Sequence, residues 1–170
     1  YFPEAVVIGH SLCRELMLTK SRSALEEAGQ DNPYFREISI IAPHITFAEG
    51  SISLRVGKKQ LQIFATPGHT ADSISVLVEE DRILFAGDAF MAVPFIVGGN
   101  LEDAVKTISE IGKMSLENIV QGHGDIILRG EIEDATASNL AYLRSIQKIA
   151  RAAARRKDPL QFLQAQDIEM

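Results

Sequence analysis

A single cysteine in 170 residues, Cys13, rules out any internal disulfide. Packing and hydrogen bonds must hold this chain together. Apolar runs long enough to cross a membrane are also missing, so no membrane partner is expected. No signal-like segment stands at the start, which is Tyr1 and not an initiator methionine. One cysteine fits a reducing compartment, and the expected location is cytoplasmic. Positive charge is scarce: 17 Lys and Arg against 23 Asp and Glu leave a formal net charge of −6. Nucleic-acid affinity comes largely from Lys and Arg on phosphates, so no nucleic-acid partner is expected. The one basic cluster, Arg151, Arg155, Arg156 and Lys157, reads as the solvated C-terminal end of a helix, where cations suit the helix dipole. There is no G-x-S-x-G elbow, no glycine-rich phosphate loop, no internal repeat and no low-complexity segment.

Against these absences stands an ordinary globular composition, 46% hydrophobic, at a length that suits one domain with a sizeable core. The chain is organised around residues 66–88, TPGHTADSISVLVEEDRILFAGD. Two short runs rich in Ile, Val, Leu and Phe, at 73–79 and 82–86, flank the acidic turn Glu80-Asp81 and predict adjacent strands. His69 precedes the first and Asp88 follows the second. In an antiparallel pair those positions share one end of the sheet. His123, in Q-G-H-G-D, follows a further predicted strand at 118–121, with a glycine on each side that lets the backbone approach closely. Each of the three has an ordinary alternative. A loop histidine can simply hold a hydrogen bond, and an aspartate after a strand can bond its own backbone. Three such residues at three strand ends point instead to metal ligands carried on loops by a rigid sheet.

Elsewhere, residues 4–9 read as a strand, and Ser11 as the N-cap of a helix reaching about Ala28 and closed by Gly29. Cys13 falls on its apolar side as a small buried hydrophobe. His10 reads as structural, a cap for that helix, and His44 as a surface or packing residue. A strand at 51–56, a Gly57-Lys58 turn and an alternating Leu61, Ile63, Ala65 predict a hairpin. Asn100 with Asp103 predicts a capped helix closed by Gly112, and Ile132, Leu140, Leu143, Ile146 and Ile149 mark the inward face of a long helix over 131–156. Residues 91–99 form a loop. With Phe90 at its edge, Met91, Pro94 and Phe95 either wall a pocket or pack on the core. Strands first and long helices later predict an α/β layered domain over 1–156, with a tail at 157–170 that holds a short helix of its own.

The ordered set T-P-G-H-T, strand, L-F-A-G-D, helix, strand, G-H-G resembles the metallo-β-lactamase-fold hydrolases, and more closely their glyoxalase II-like branch. The resemblance covers almost the whole chain. It implies an αββα sandwich with a metal site along one edge of the paired sheets. It also implies roles: His69 as a ligand of a first metal, Asp88 bridging two metals, and His123 as a ligand of the second. Zinc is the usual metal, with iron or manganese in some members. Water activated at the two metals would attack an ester, thioester or lactone-type small-molecule substrate. The family's H-x-H-x-D-H motif, which supplies most remaining ligands and an aspartate that orients the water, is absent. The chain is therefore expected to be the C-terminal portion of a longer enzyme, with an incomplete sandwich lacking its N-terminal strands. It is expected to be inactive alone and paired with its missing N-terminal segment or with a second copy. The competing reading is a non-catalytic binding or structural module that keeps the fold.

Overall fold

The computed structural model describes residues 4–166. The chain divides into two compact units, residues 1–52 and 53–170. In the first, β1 (Ile8–His10) leads directly into α1 (Ser11–Leu16), a π-helical turn (Met17–Ser21) and α2 (Arg22–Asp31). A 3-10 turn over Pro33–Glu37 follows, and β2 (Ile45–Phe47) then pairs with β1 in parallel, Ile8 opposite Ile45. Several local expectations shift here. The strand is three residues long instead of six, and Pro3, at its expected approach, lies outside the described residues. Ser11 is already helical, and the cap is His10, whose Nδ1 accepts the Leu12 N–H at 3.1 Å. Its Nε2 lies 3.2 Å from the Ala48 carbonyl. Cys13 is half-buried and meets the Met17 sulfur at 3.8 Å. Gly29 does not end the helix. It is buried where the Arg36 side chain crosses it and donates to its carbonyl, and the stop is Asn32-Pro33. His44 is exposed and accepts the Val7 N–H at 3.0 Å, a packing role.

The second unit is a six-stranded sheet with helices. Its strands are β3 (Ser51–Val56, which crosses the boundary), β4 (Lys59–Ala65), β5 (Ile74–Val78), β6 (Ile83–Gly87), β7 (Asn118–Gln121) and β8 (Ile127–Leu128), in that spatial order. The β4–β5, β5–β6 and β7–β8 pairs are antiparallel, and β6–β7 is parallel. The parallel pair needs a crossover, supplied by α3 (Leu101–Gly112). The Asn100 side chain caps α3 by accepting the Asp103 N–H at 2.9 Å. The long helix α4 covers Ile132–Ala153, and α5 (Pro159–Gln164) follows an Asp158 cap. Residues 167–170 of the expected tail lie outside the described residues. At the β5–β6 turn the Gln60 N–H donates to the Glu80 carboxylate, which holds that carboxyl below the usual range.

The core lies between the sheet and α3–α4. Leu77, Leu84, Ile119 and Ile127 stand in register across four strands, and Ile108, Ile111 and Leu143 cover them. The opposite face carries Ile63, Val76, Phe85 and Val120 in the next register row, and Phe85 is 47% exposed. The sheet is thus apolar on both faces, as strands of a layered α/β fold are. No helix among the described residues is long and apolar enough to cross a membrane.

Leu84 is fully buried, so Leu84→Ala is expected to cost about 2–5 kcal/mol in urea unfolding. Phe85→Ala, one residue on and on the other face, is expected to cost less than about 1.5 kcal/mol. Equal losses would show that both faces are packed alike.

Candidate metal centre

His69, Asp88 and His123 come from three loops at one end of the sheet. His69 lies between β4 and β5, Asp88 directly after β6 and His123 two residues after β7. The loop before β5 is fixed at both ends. The Thr66 N–H donates to Ser73 O at 2.8 Å, and the buried Thr66 and Ser75 hydroxyls meet at 2.9 Å. From α3, the Thr107 hydroxyl donates to Pro67 O at 2.5 Å. Gly68 has φ +150°, and a Cβ there would come within 2.5 Å of the Ala104 Cα, so only glycine lets α3 approach this closely.

His69 is held by the main chain of the 91–99 loop. Its carbonyl accepts N–H bonds from Val97, Gly98 and Gly99 at 2.9–3.1 Å. Its Nδ1 lies 2.9 Å from Phe95 O, and the Phe95 ring meets the imidazole edge-on at 4.8 Å between centroids. A carbonyl can only accept, so Nδ1 carries the proton. In the neutral ring Nε2 then presents a lone pair. That nitrogen faces Asp88 Oδ2 at 3.6 Å. Asp88 follows an irregularity in the β6–β7 register and Gly87 at φ +52°. Its other oxygen, Oδ1, faces His123 Nε2 at 3.5 Å. One carboxylate thus stands between two imidazoles, one oxygen to each, at distances beyond a good hydrogen bond.

The two histidines differ in setting. The His69 side chain is 11% exposed and the His123 side chain 73%. His123 stands on the turn between β7 and β8, where the Gly122 N–H donates to Gly87 O at 2.8 Å. Among the described residues no three of His, Cys, Asp and Glu converge on one point. The arrangement is two pairs that share Asp88.

Of the loop residues expected as either wall or core, Phe90, Met91 and Pro94 are buried, and Asn139 on α4 anchors Met91 O at 3.0 Å. Only Phe95 of the four is exposed, joined by Val93, Ile96 and Val97. Sequence reasoning missed Gln121, whose Nε2 donates to Asp125 O at 2.6 Å, and it missed Asn139. An amide at a strand end carries no signature of its own. The helical face of Asn139, in register with Ile132, Thr136 and Leu143, was the available signal.

Comparisons with known proteins place the chain in a family. A Caenorhabditis elegans protein named beta-lactamase-like protein 2 homolog is 32% identical over 81 residues, 48% of this chain and 28% of that protein. A hydroxyacylglutathione hydrolase from Rhodopseudomonas palustris is 34% identical over 64 residues, 32% of this chain and 25% of that protein. The chain therefore matches less than a third of the length of either relative. A metallo-beta-lactamase family protein from Thermus thermophilus superposes with a TM-score of 0.64 at 18% identity, over 93% of this chain and 59% of that one, a likeness of fold. The model of the metallo-beta-lactamase superfamily matches residues 2–156, and this chain belongs to that superfamily.

Proposed function

We propose that His69, Asp88 and His123 are three ligands of a two-ion hydrolytic centre, with one histidine on each ion and Asp88 shared. The observation that carries this reading is the Asp88 carboxylate set between two imidazole Nε2 atoms, one oxygen to each at 3.6 and 3.5 Å. An ion bonded at about 2.0–2.1 Å to both an imidazole nitrogen and a carboxylate oxygen holds those donors about 3.4 Å apart at a tetrahedral angle. Both gaps fit such an ion. The Nδ1–H bond from His69 to Phe95 O is the kind of outer contact that orients a ligating imidazole. Gly122 also fits: a Cβ there would lie 1.9 Å from Asp88 Oδ1, so the carboxylate occupies space that any side chain would fill.

Two donors per ion fall short of the three that a catalytic zinc keeps. The remaining donors come from a further polypeptide segment, either an N-terminal piece or a second copy of the chain. His10 already uses both ring nitrogens within its own unit. When bound, two divalent ions (zinc, with iron or manganese as alternatives) supply an activated water and neutralise charge developing on a carbonyl or similar centre. This chain's residues bind and orient. Asp88 divides its oxygens between the two sides, and the Phe95 carbonyl holds His69 in the required tautomer. Val93, Phe95, Ile96 and Val97 are exposed on the loop that holds His69, and the Phe95 ring lies against the imidazole. No charged residue occurs between Asp88 and Glu102, which supports a small-molecule ester, thioester or lactone with an apolar portion.

The test is made in a protein that carries this chain together with the donors it lacks. Asp88→Ala is expected to reduce metal content below about two ions per unit and to cut hydrolysis at least about 100-fold, with the fold retained by circular dichroism. Unchanged metal content and activity would favour a non-catalytic module. Gly122→Ala is expected to displace Asp88, weakening metal binding about 10-fold or more and costing about 1–3 kcal/mol in stability. A wild-type melting temperature and metal affinity would show that the carboxylate does not need that space.

A further inference from the structure

We infer that Gln121 is the positioning residue for His123, its side-chain amide closing the turn that presents the imidazole to Asp88. The two imidazoles are held differently. The His69 ring is tied to a carbonyl, whereas among the described residues the one polar partner of the His123 ring is the Asp88 carboxylate. The placement of His123 thus depends on its turn. Gln121, the last residue of β7, reaches across that turn and donates from Nε2 to the Asp125 carbonyl at 2.6 Å. Gly124, inside the turn at φ +122°, makes room for the amide: a Cβ at that position would stand 2.6 Å from the same Nε2.

The amide orientation is dictated by chemistry. A flipped amide would set Oε1 against the Asp125 carbonyl, acceptor against acceptor. In the orientation that serves the turn, Oε1 is buried and no donor among the described residues reaches it. A residue selected for volume alone would be apolar and would leave no orphaned acceptor. The glutamine gives up one buried hydrogen bond to make the one that closes the turn.

Two variants isolate that bond. Gln121→Met keeps the length without the donor, and Gln121→Glu places a carboxylate against the Asp125 carbonyl. In the metal-free chain, 15N relaxation is expected to give order parameters near about 0.85 for the His123, Gly124 and Asp125 amides of the wild type and below about 0.6 in both variants, with β6 unchanged. A Co2+ titration of the protein that carries this chain with the donors it lacks, which rests on the two-ion reading, is expected to lose about 10- to 100-fold in affinity on the His123 side and little on the His69 side. Wild-type order in both variants overturns the inference. A wild-type protein that carries this chain with the donors it lacks and still binds no Co2+ sinks the metal reading instead, and leaves the relaxation result to decide Gln121. Should the variants not fold, the wild type decides: its Gln121 side-chain amide protons are expected to resist solvent exchange, and free exchange overturns the proposal.

Discussion

Strand direction is the constraint on which the rest of this structure depends. β6 is antiparallel to β5 and parallel to β7. The start of β5 and the ends of β6 and β7 therefore share one edge, and the loops at those points carry His69, Asp88 and His123. Reversing either pairing would send one of them to the far end of the sheet, a whole strand length away at about 3.3 Å per residue. The crossover through α3 is thus as much a part of the site as the side chains. Its Thr107 hydroxyl and Ala104 backbone also hold the Pro67–Gly68 corner from which His69 projects.

Close approach and desolvation set the finer geometry. Gly68 lets a helix pack against the turn, and Gly122 leaves room for a carboxylate. Polar groups near the site are arranged for their neighbours before themselves. The buried Asn139 amide serves the Met91 carbonyl, and Gln121 leaves Oε1 unpaired, which costs about 1–3 kcal/mol. Such costs are tolerable because the apolar row through Leu84 and Ile119 and the helices above it bury enough surface to offset them.

What the sequence made legible was local. The β5–β6 hairpin, the β3–β4 turn at Gly57-Lys58, the Asn100 cap, the Gly112 stop and the strand at Asn118–Gln121 each follow from residues within a few positions of one another. The proximity of His69 and Asp88 followed from the hairpin. The features that were not legible depend on partners far along the chain. Gly29 looked like a helix end because the Arg36 side chain that crosses it is invisible in a local window. The π turn at Met17–Ser21 interrupts a helix with an even pattern, and β8 is only two residues long. The parallel partnership of β6 with β7, which brings His123 to Asp88, required the whole crossover. Its sequence trace was the order of the motifs and not any one of them.

The way His69 is held has a consequence for how such a site can change over generations. Four of its anchors are main-chain atoms: the carbonyl of Phe95 and the N–H groups of Val97, Gly98 and Gly99. Main-chain atoms are the same whatever side chain they carry. Substitutions at Val93, Ile96 and Val97 can therefore alter what the loop offers to a ligand while the imidazole keeps its place. Only Phe95 joins the two roles, through a ring that rests against His69. On the proposed reading, the backbone carries the geometry and selectivity is left to vary on the loop surface, so one scaffold can diversify without first losing the arrangement of His69.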